Sequence, residues 1–160
     1  MRQVSGLRRT SAIWALLCVA SACASTVAPL AIPKPAEVVS IDATISNSYN
    51  VDAKSYRGAV HVEDQAKIAD ILGRISELNR GMTVPNGTIP TPTHAIVVND
   101  RVNINLVVFI GSDWIGGRNI VPGKLAVNRA RHISEAERAS ILKLVGIDDY
   151  RFQARISSRL

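Results

Sequence analysis

The sequence predicts an α+β domain, with a mainly antiparallel sheet of four to six strands and two helices packed on one face. Three observations predict this class. Apolar and polar residues alternate in several short segments, as in strands that bury one face. Two longer segments carry the apolar spacing of a helix together with capping signals. The connections between strands are short and rich in turn residues, which favours antiparallel neighbours.

The domain opens with two predicted strands. In the segment 38–45, polar residues separate four apolar ones, namely Val39, Ile41, Ala43 and Ile45. This alternation is typical of a strand with one buried face. A second, short strand is predicted at 58–62, after a polar and turn-rich segment.

The first predicted helix covers residues 64–80. Its apolar residues form one stripe at helical spacing: Ile68, Ile71, Leu72, Ile75 and Leu78. Asp64 is placed to cap the N-terminus, because its carboxylate can accept a hydrogen bond from a backbone amide of the first turn. Gly81 follows as the C-terminal stop, since glycine readily adopts the left-handed conformation that ends helices.

A strand-dense region follows an irregular, proline-rich loop at 81–93. Turn signals at Asn99-Asp100, 111–113 and Pro122-Gly123 divide it into four predicted strands, at 94–98, 102–110, 114–121 and 124–128. Gly116 and Gly117 interrupt the third of these strands, and we expect a β-bulge there.

The last helix is predicted by a capping box. Ser134 and Glu137 stand three residues apart, so that each side chain can bond the backbone amide of the other residue. Apolar residues between positions 141 and 145 supply its buried side, and Gly146 ends it. Beyond it, alternation over residues 150–156 predicts an optional closing strand.

Composition and charge restrict the class of protein. Of the 160 residues, 47% are hydrophobic and 20% are charged, as expected for one globular domain. The formal net charge of +6 falls to +3 without the three arginines of residues 1–10. The remaining excess lies from Arg118 onward. Because it contains no block of like charges, we interpret it as ordinary solvated surface.

The N-terminus has the three parts of a secretory signal. Residues 1–10 carry three arginines and no acid, residues 12–20 are apolar, and small residues follow at 21–25. The apolar stretch is shorter than the roughly 20 residues that span a bilayer. We therefore predict a signal peptide at 1–22 that is removed.

The cleavage site resembles the lipobox of bacterial lipoprotein precursors, in which small residues precede an obligatory cysteine. The matching residues are Ala20, Ser21, Ala22 and Cys23. The resemblance covers the leader alone. It implies that the Cys23 sulfur carries a diacylglycerol, that the chain is cut before Cys23, and that the membrane is a partner through this lipid. Ala24 in place of aspartate implies an outer-membrane location facing the periplasm.

An ordinary signal-peptidase site remains the alternative, because 20–22 and 22–24 both have the small-x-small form. Cleavage after Ala22 would give a soluble periplasmic or secreted protein with one thiol, at Cys23. On the lipoprotein interpretation, residues 23–37 are a lipidated N-terminus with a proline-rich tether, and residues 38–160 form one α+β domain. Nucleic acid is not expected as a partner in that compartment.

No residue pattern predicts catalysis. His61, His94 and His132 match no zinc spacing, and the serine elbow of many hydrolases is missing from the sequence. Ser112-Asp113 and His132 contain hydrolytic residue types, but nothing in the sequence brings them together. We therefore predict no catalytic residue, no metal site and no cofactor.

Four residues are candidates for ligand binding. Trp114 and Arg118 combine a flat apolar ring with a planar donor group, a pairing frequent at binding hot spots. Arg129 and Arg131 precede the last helix and suit an anion. The alternatives are a core position for Trp114 and surface charge for the arginines.

The function predicted from these observations is that of a cell-envelope lipoprotein with a small, non-enzymatic binding or accessory domain. An envelope protein or an anionic glycan is the expected partner. The alternative is a small envelope hydrolase with an unrecognised active site.

Overall fold

The computed structural model describes residues 28–45, 60–101 and 103–147. Its strands and helices are β1 (Ser40–Ile45), β2 (Val60–Val62), α1 (Gln65–Asn79), β3 (His94–Asn99), β4 (Ile104–Ile110), β5 (Trp114–Asn119), β6 (Arg129–His132) and α2 (Glu135–Val145). Within these residues the strands form one sheet in the order β2-β1-β3-β4-β5-β6, and all neighbours are antiparallel. The predicted α+β class is confirmed.

Three predictions concern residues outside the described ranges. The predicted signal peptide at 1–22 and the predicted lipidation site Cys23 lie N-terminal to the first described residue, and the optional strand at 150–156 lies beyond the last. All three stay predictions.

Residues opposite each other on neighbouring antiparallel strands lie on the same face, and this divides the sheet into two faces. The first face carries Ile41, Ala43, Ile96, Val98, Leu106, Val108, Ile110 and Ile115, and these belong to one buried cluster with the buried residues of α1 and α2. The second face carries Ala95, Val97, Val107, Phe109 and Trp114, which form a second buried cluster. The packing of both helices on one face stays a prediction.

Helix α1 matches its sequence signals. The Asp64 carboxylate accepts a hydrogen bond from the Lys67 amide at 2.7 Å, and the five residues of the predicted stripe are all buried. Arg80 is the C-terminal cap, and Gly81 has a φ of +81°, a left-handed conformation that favours glycine. The predicted N-cap and stop are confirmed.

Helix α2 begins with the predicted capping box. The Ser134 hydroxyl accepts from the Glu137 amide at 3.2 Å, and the Glu137 carboxylate accepts from the Ser134 amide at 2.9 Å. The helix ends at Gly146, whose φ is +83°. Both ends are set by contacts within a few residues, which explains why the sequence alone locates this helix.

Two predictions about the strands are wrong. Residues 124–128 form no strand, and the strand that pairs with β5 is instead Arg129–His132. The bulge at Gly116-Gly117 is also absent, because β5 keeps regular register through both glycines against β4 and β6. The two glycines instead allow neighbouring strands to approach β5 closely. A Cβ at Gly116 would lie 2.6 Å from the carbonyl oxygen of Arg129, and a Cβ at Gly117 would lie 2.9 Å from the carbonyl oxygen of Val107.

The described part of the predicted tether, residues 28–37, lies against the domain. Leu30 is 3% exposed and belongs to the first-face cluster. The Asn79 side chain exchanges two hydrogen bonds with the backbone of Leu30, at 3.2 and 3.0 Å. The Asn119 side chain does the same with Ala31, at 2.9 and 2.7 Å. We call Asn79 and Asn119 the asparagine clamp. It joins this segment to the ends of α1 and β5.

Candidate functional site

The four predicted ligand-binding residues lie on two different faces of the sheet. Trp114 and Arg118 stand four residues apart on β5, and both belong to the second face. Arg131 lies opposite Ile115 and Arg129 lies opposite Gly117, so both arginines of β6 belong to the first face. The structure therefore does not bring all four side chains into one site, although Trp114 and Arg131 line the same cavity.

Arg131 connects the two helices. Its Nε donates to the Leu78 carbonyl at the end of α1, at 2.8 Å, and its Nη2 donates to the Glu137 carboxylate at the start of α2, at 2.7 Å. Its Nη1 donates to the carbonyl of His132 at 2.9 Å. Together with the Ser134 amide, this guanidinium lowers the pKa of Glu137 to about 2. These internal bonds give Arg131 a structural role.

The other two arginines have different surroundings. Arg129 is 9% exposed, and its Nη1 lies 3.5 Å from the carbonyl oxygen of Val127. Arg118 lies over the Phe109 ring, with its guanidinium carbon 5.5 Å from the ring centroid, a distance at which a cation is attracted by the ring. Arg118 thus covers part of the second-face cluster.

A concave surface runs along the loop at 83–90. It consists of two adjoining cavities of about 290 and 450 Å³, which share Pro85, Thr88 and Ile89 as a common wall. The smaller cavity also contains Trp114, Ala130, Arg131 and His132, and the larger one contains Val84, Val127 and Asn128. We call the two cavities together the loop groove. It is lined mostly by apolar side chains, as ligand sites commonly are.

Trp114 occupies a fixed position in this groove. It is 4% exposed, and its carbonyl accepts a hydrogen bond from the Gly111 amide at 2.9 Å, which closes the turn between β4 and β5. The indole lies directly on Gly111, since a Cβ there would fall within 1.9 Å of the indole nitrogen. Opposite it, Thr83 exchanges two backbone hydrogen bonds with Ala130, at 3.1 and 2.9 Å. The loop is thereby attached to the edge strand β6.

Ser112 and Asp113 lie close to His132 at one end of the groove, although His132 is 19 positions from Asp113. The Ser112 hydroxyl donates to the Asp113 carboxylate at 3.0 Å, and His132 Nδ1 lies 3.5 Å from the other carboxylate oxygen. In a catalytic triad the histidine contacts the serine, and the carboxylate orients the histidine. Here the carboxylate stands between them. The side chains of His132 and Asp113 are also 89% and 66% exposed.

A second polar cluster lies on β1, β2 and β3. His61 is bonded to Asp42 at 2.7 Å and to Glu63 at 3.2 Å, and these two carboxylates raise the pKa of His61. Asn99 donates to the other oxygen of Asp42 at 2.8 Å and to the Ser40 hydroxyl at 3.2 Å. Asn99 therefore connects the Ser40 hydroxyl to the Asp42 carboxylate in this cluster. Within the described ranges, no three histidine, cysteine or acidic residues are grouped as metal ligands would be.

The loop groove itself was missed by sequence reasoning, which treated 81–93 as an irregular connection. The available signal was the number of prolines in it, at positions 85, 90 and 92. Prolines restrict the backbone, and a long rigid loop beside a sheet edge is often a binding element. The other wall of the groove, formed by residues between 126 and 132, could not be predicted, because its position depends on how β6 pairs with β5.

Comparison with known proteins gives no further assignment. No protein-family model, no curated protein and no solved structure matches this chain. Of the helices in the described ranges, neither has the length and apolar character needed to cross a bilayer.

Proposed function

We propose that this chain is a bacterial cell-envelope lipoprotein, anchored by lipid on Cys23 to the outer membrane and facing the periplasm. Its domain binds an envelope protein in the loop groove and performs no chemistry. The anchor rests on the signal-like leader and the lipobox-like residues 20–23. The binding function rests on one structural observation: Trp114 is held at a fixed position in an apolar groove beside an edge strand.

The chemistry of the groove favours a protein segment over an anionic glycan. Apolar residues predominate in the larger cavity and make up half of the lining of the smaller one. Arg131 lines the smaller cavity, but its guanidinium already donates to Leu78, His132 and Glu137, and Arg129 lies on the opposite face of the sheet. An apolar side chain of a partner would contact Trp114, Ile89 and Ala130. The exposed backbone of the loop and the polar His132 and Asp113 would supply hydrogen bonds at the rim.

The anchor is tested by replacing Cys23 with serine. In a Gram-negative host, we expect the natural chain to be cut before Cys23, to carry acyl chains at its N-terminus and to fractionate with the outer membrane. The Cys23→Ser chain is expected to lose the acyl mass and the membrane association, because the lipid supplies nearly all of the attachment. Intact-mass spectrometry and membrane fractionation measure both.

Cys18→Ser is the matched control, since Cys18 lies within the predicted leader and should be removed with it. An unmodified thiol at Cys23, or a mature N-terminus elsewhere, would contradict the anchor and favour a soluble periplasmic or secreted protein.

The binding function is tested by site-specific photo-crosslinking in cells. A photoreactive residue at Thr88, an exposed position in the shared wall of both cavities, is expected to give one defined adduct with an envelope protein. The same residue at Ser76, which is exposed on α1, is the control and should not give this adduct. Identical adducts at both positions, or none at Thr88, would argue against a groove ligand.

A further inference from the structure

The exposed segment 121–125 follows β5 and lies beside the point where the N-terminal chain joins the domain. We propose that this segment, which we call the apolar turn, contacts the anionic surface of the bilayer that holds the lipid anchor. The contact fixes the orientation of the domain on the membrane. This inference rests on the proposed lipidation of Cys23.

The length of the connecting chain restricts the distance between domain and bilayer. The asparagine clamp holds the backbone at Leu30 and Ala31. Cys23 precedes Leu30 by seven residues. Seven residues span at most about 25 Å when fully extended. An acylated Cys23 would therefore keep the surface around the clamp close to the lipid headgroups.

The apolar turn begins next to that surface. Asn119, one half of the clamp, is the last residue of β5, and Val121 follows two residues later. The turn is closed by a hydrogen bond from the Lys124 amide to the Val121 carbonyl at 3.0 Å, and Gly123 has a φ of +75°. The fold thus places the clamp and the turn at the same end of β5.

The side chains of the turn suit a membrane interface. Leu125 is 94% exposed, the highest value among the large apolar residues that the structure describes, and Val121 is 45% exposed. Exposed apolar side chains on a surface segment can enter the headgroup region of a bilayer.

The charge of this region matches an anionic surface. Lys124 is exposed at the turn, beside Leu125. No carboxylate occurs anywhere between Asp113 and Glu135, so no acidic side chain of that stretch opposes phosphate headgroups. Cations next to exposed apolar residues are typical of segments that lie on anionic lipid. The short chain between Cys23 and the clamp and the charge of the turn together favour the bilayer as the surface that the turn contacts.

The test uses the lipidated protein, purified from membranes and reconstituted into vesicles of phosphatidylcholine and phosphatidylglycerol. An environment-sensitive fluorophore is attached through Leu125→Cys or, as control, through Ala66→Cys. Ala66 is exposed near the start of α1, about 20 Å along the helix from Asn79. An acylated Cys23 sulfur does not react with the label.

We expect the probe at position 125 to shift to the blue and to be quenched several-fold more by brominated lipids than the probe at position 66. Adding Lys124→Glu to Leu125→Cys should reduce the quenching in these vesicles.

Solvent-like emission at position 125 in a chain whose acyl mass is confirmed would overturn the proposed orientation and leave the anchor intact. A mass without acyl chains would overturn the anchor, and this inference with it. A blue shift that grows with protein concentration in the absence of lipid would overturn the bilayer as occupant in favour of a second copy of this chain.

Discussion

The Gly111→Ala chain is expected to lose about 3–5 kcal/mol of unfolding free energy, the range measured when a large buried aromatic side chain loses its packing. The physical reason is the position of Trp114. A Cβ at residue 111 would lie 1.9 Å from the indole nitrogen and 2.4 Å from two ring carbons, which no ordinary contact permits. The indole must leave its buried position, and the smaller cavity of the loop groove changes shape with it.

Two measurements check this expectation. Denaturant unfolding gives the change in free energy. The intrinsic fluorescence should shift to the red, because Trp114 is the only tryptophan after residue 14 and would move into water. Gly73→Ala is the matched control: no atom lies within 4 Å of its Cβ, and alanine in a helix is favoured over glycine by about 1 kcal/mol. If both alanine variants proved equally stable, Trp114 would not be seated as described.

The same contact illustrates what the sequence can and cannot predict. The sequence predicts a turn at 111–113 and an interruption at Gly116-Gly117, but it does not show why each position is glycine. Gly111 is required by the ring of a residue three positions later, and Gly116 by the carbonyl of Arg129 on a neighbouring strand. Such requirements depend on close approach in three dimensions, which a one-dimensional pattern does not contain. A bulge was therefore predicted where the strand is regular.

Local signals gave reliable predictions, and pairing between strands did not. The sequence locates both helices because each one begins at a capping residue, Asp64 for α1 and Ser134 for α2. The side chain of each cap accepts a hydrogen bond from an amide of the first turn. Strand β6 was predicted about five residues too early, because the segment 124–128 has the stronger apolar alternation. The structure selects Arg129–His132, whose register is determined by β5. Arginine tolerates this position because its aliphatic stem can be buried while its charged end makes hydrogen bonds.

The same distinction applies to the candidate site: the sequence indicates the residue types, and the fold determines their contacts. Trp114 was identified from residue type, and it does line a groove. Arg131 was selected on the same basis, but its guanidinium bonds a carbonyl 53 positions earlier and a carboxylate of α2. Residue type thus indicates which side chains can recognise a ligand. Only the fold decides whether an internal acceptor has already engaged them.

The asparagine clamp leads to the second large prediction. Replacing Asn79 and Asn119 together with alanine removes four hydrogen bonds to the backbone of Leu30 and Ala31. At about 1 kcal/mol for each bond, and with the burial of Leu30 at risk, we expect a loss of about 2–4 kcal/mol. Each single variant should cost roughly half as much. Denaturant unfolding of the two single variants and the double variant measures this effect.

A second measurement separates release of the segment from general loss of stability. The amides of Leu30 and Ala31 donate to the clamp, so hydrogen exchange at these two amides should be faster in the double variant under native conditions. Asn86→Ala, in an exposed part of the loop at 83–90, is the control and should leave both exchange rates unchanged. Equal exchange rates at Leu30 and Ala31 in all chains would mean that burial of Leu30 alone holds the segment. If the clamp does hold it, the backbone is fixed at Leu30, seven residues after Cys23. Under the proposed lipidation of Cys23, this length would keep the domain close to the membrane and the apolar turn within reach of the headgroups.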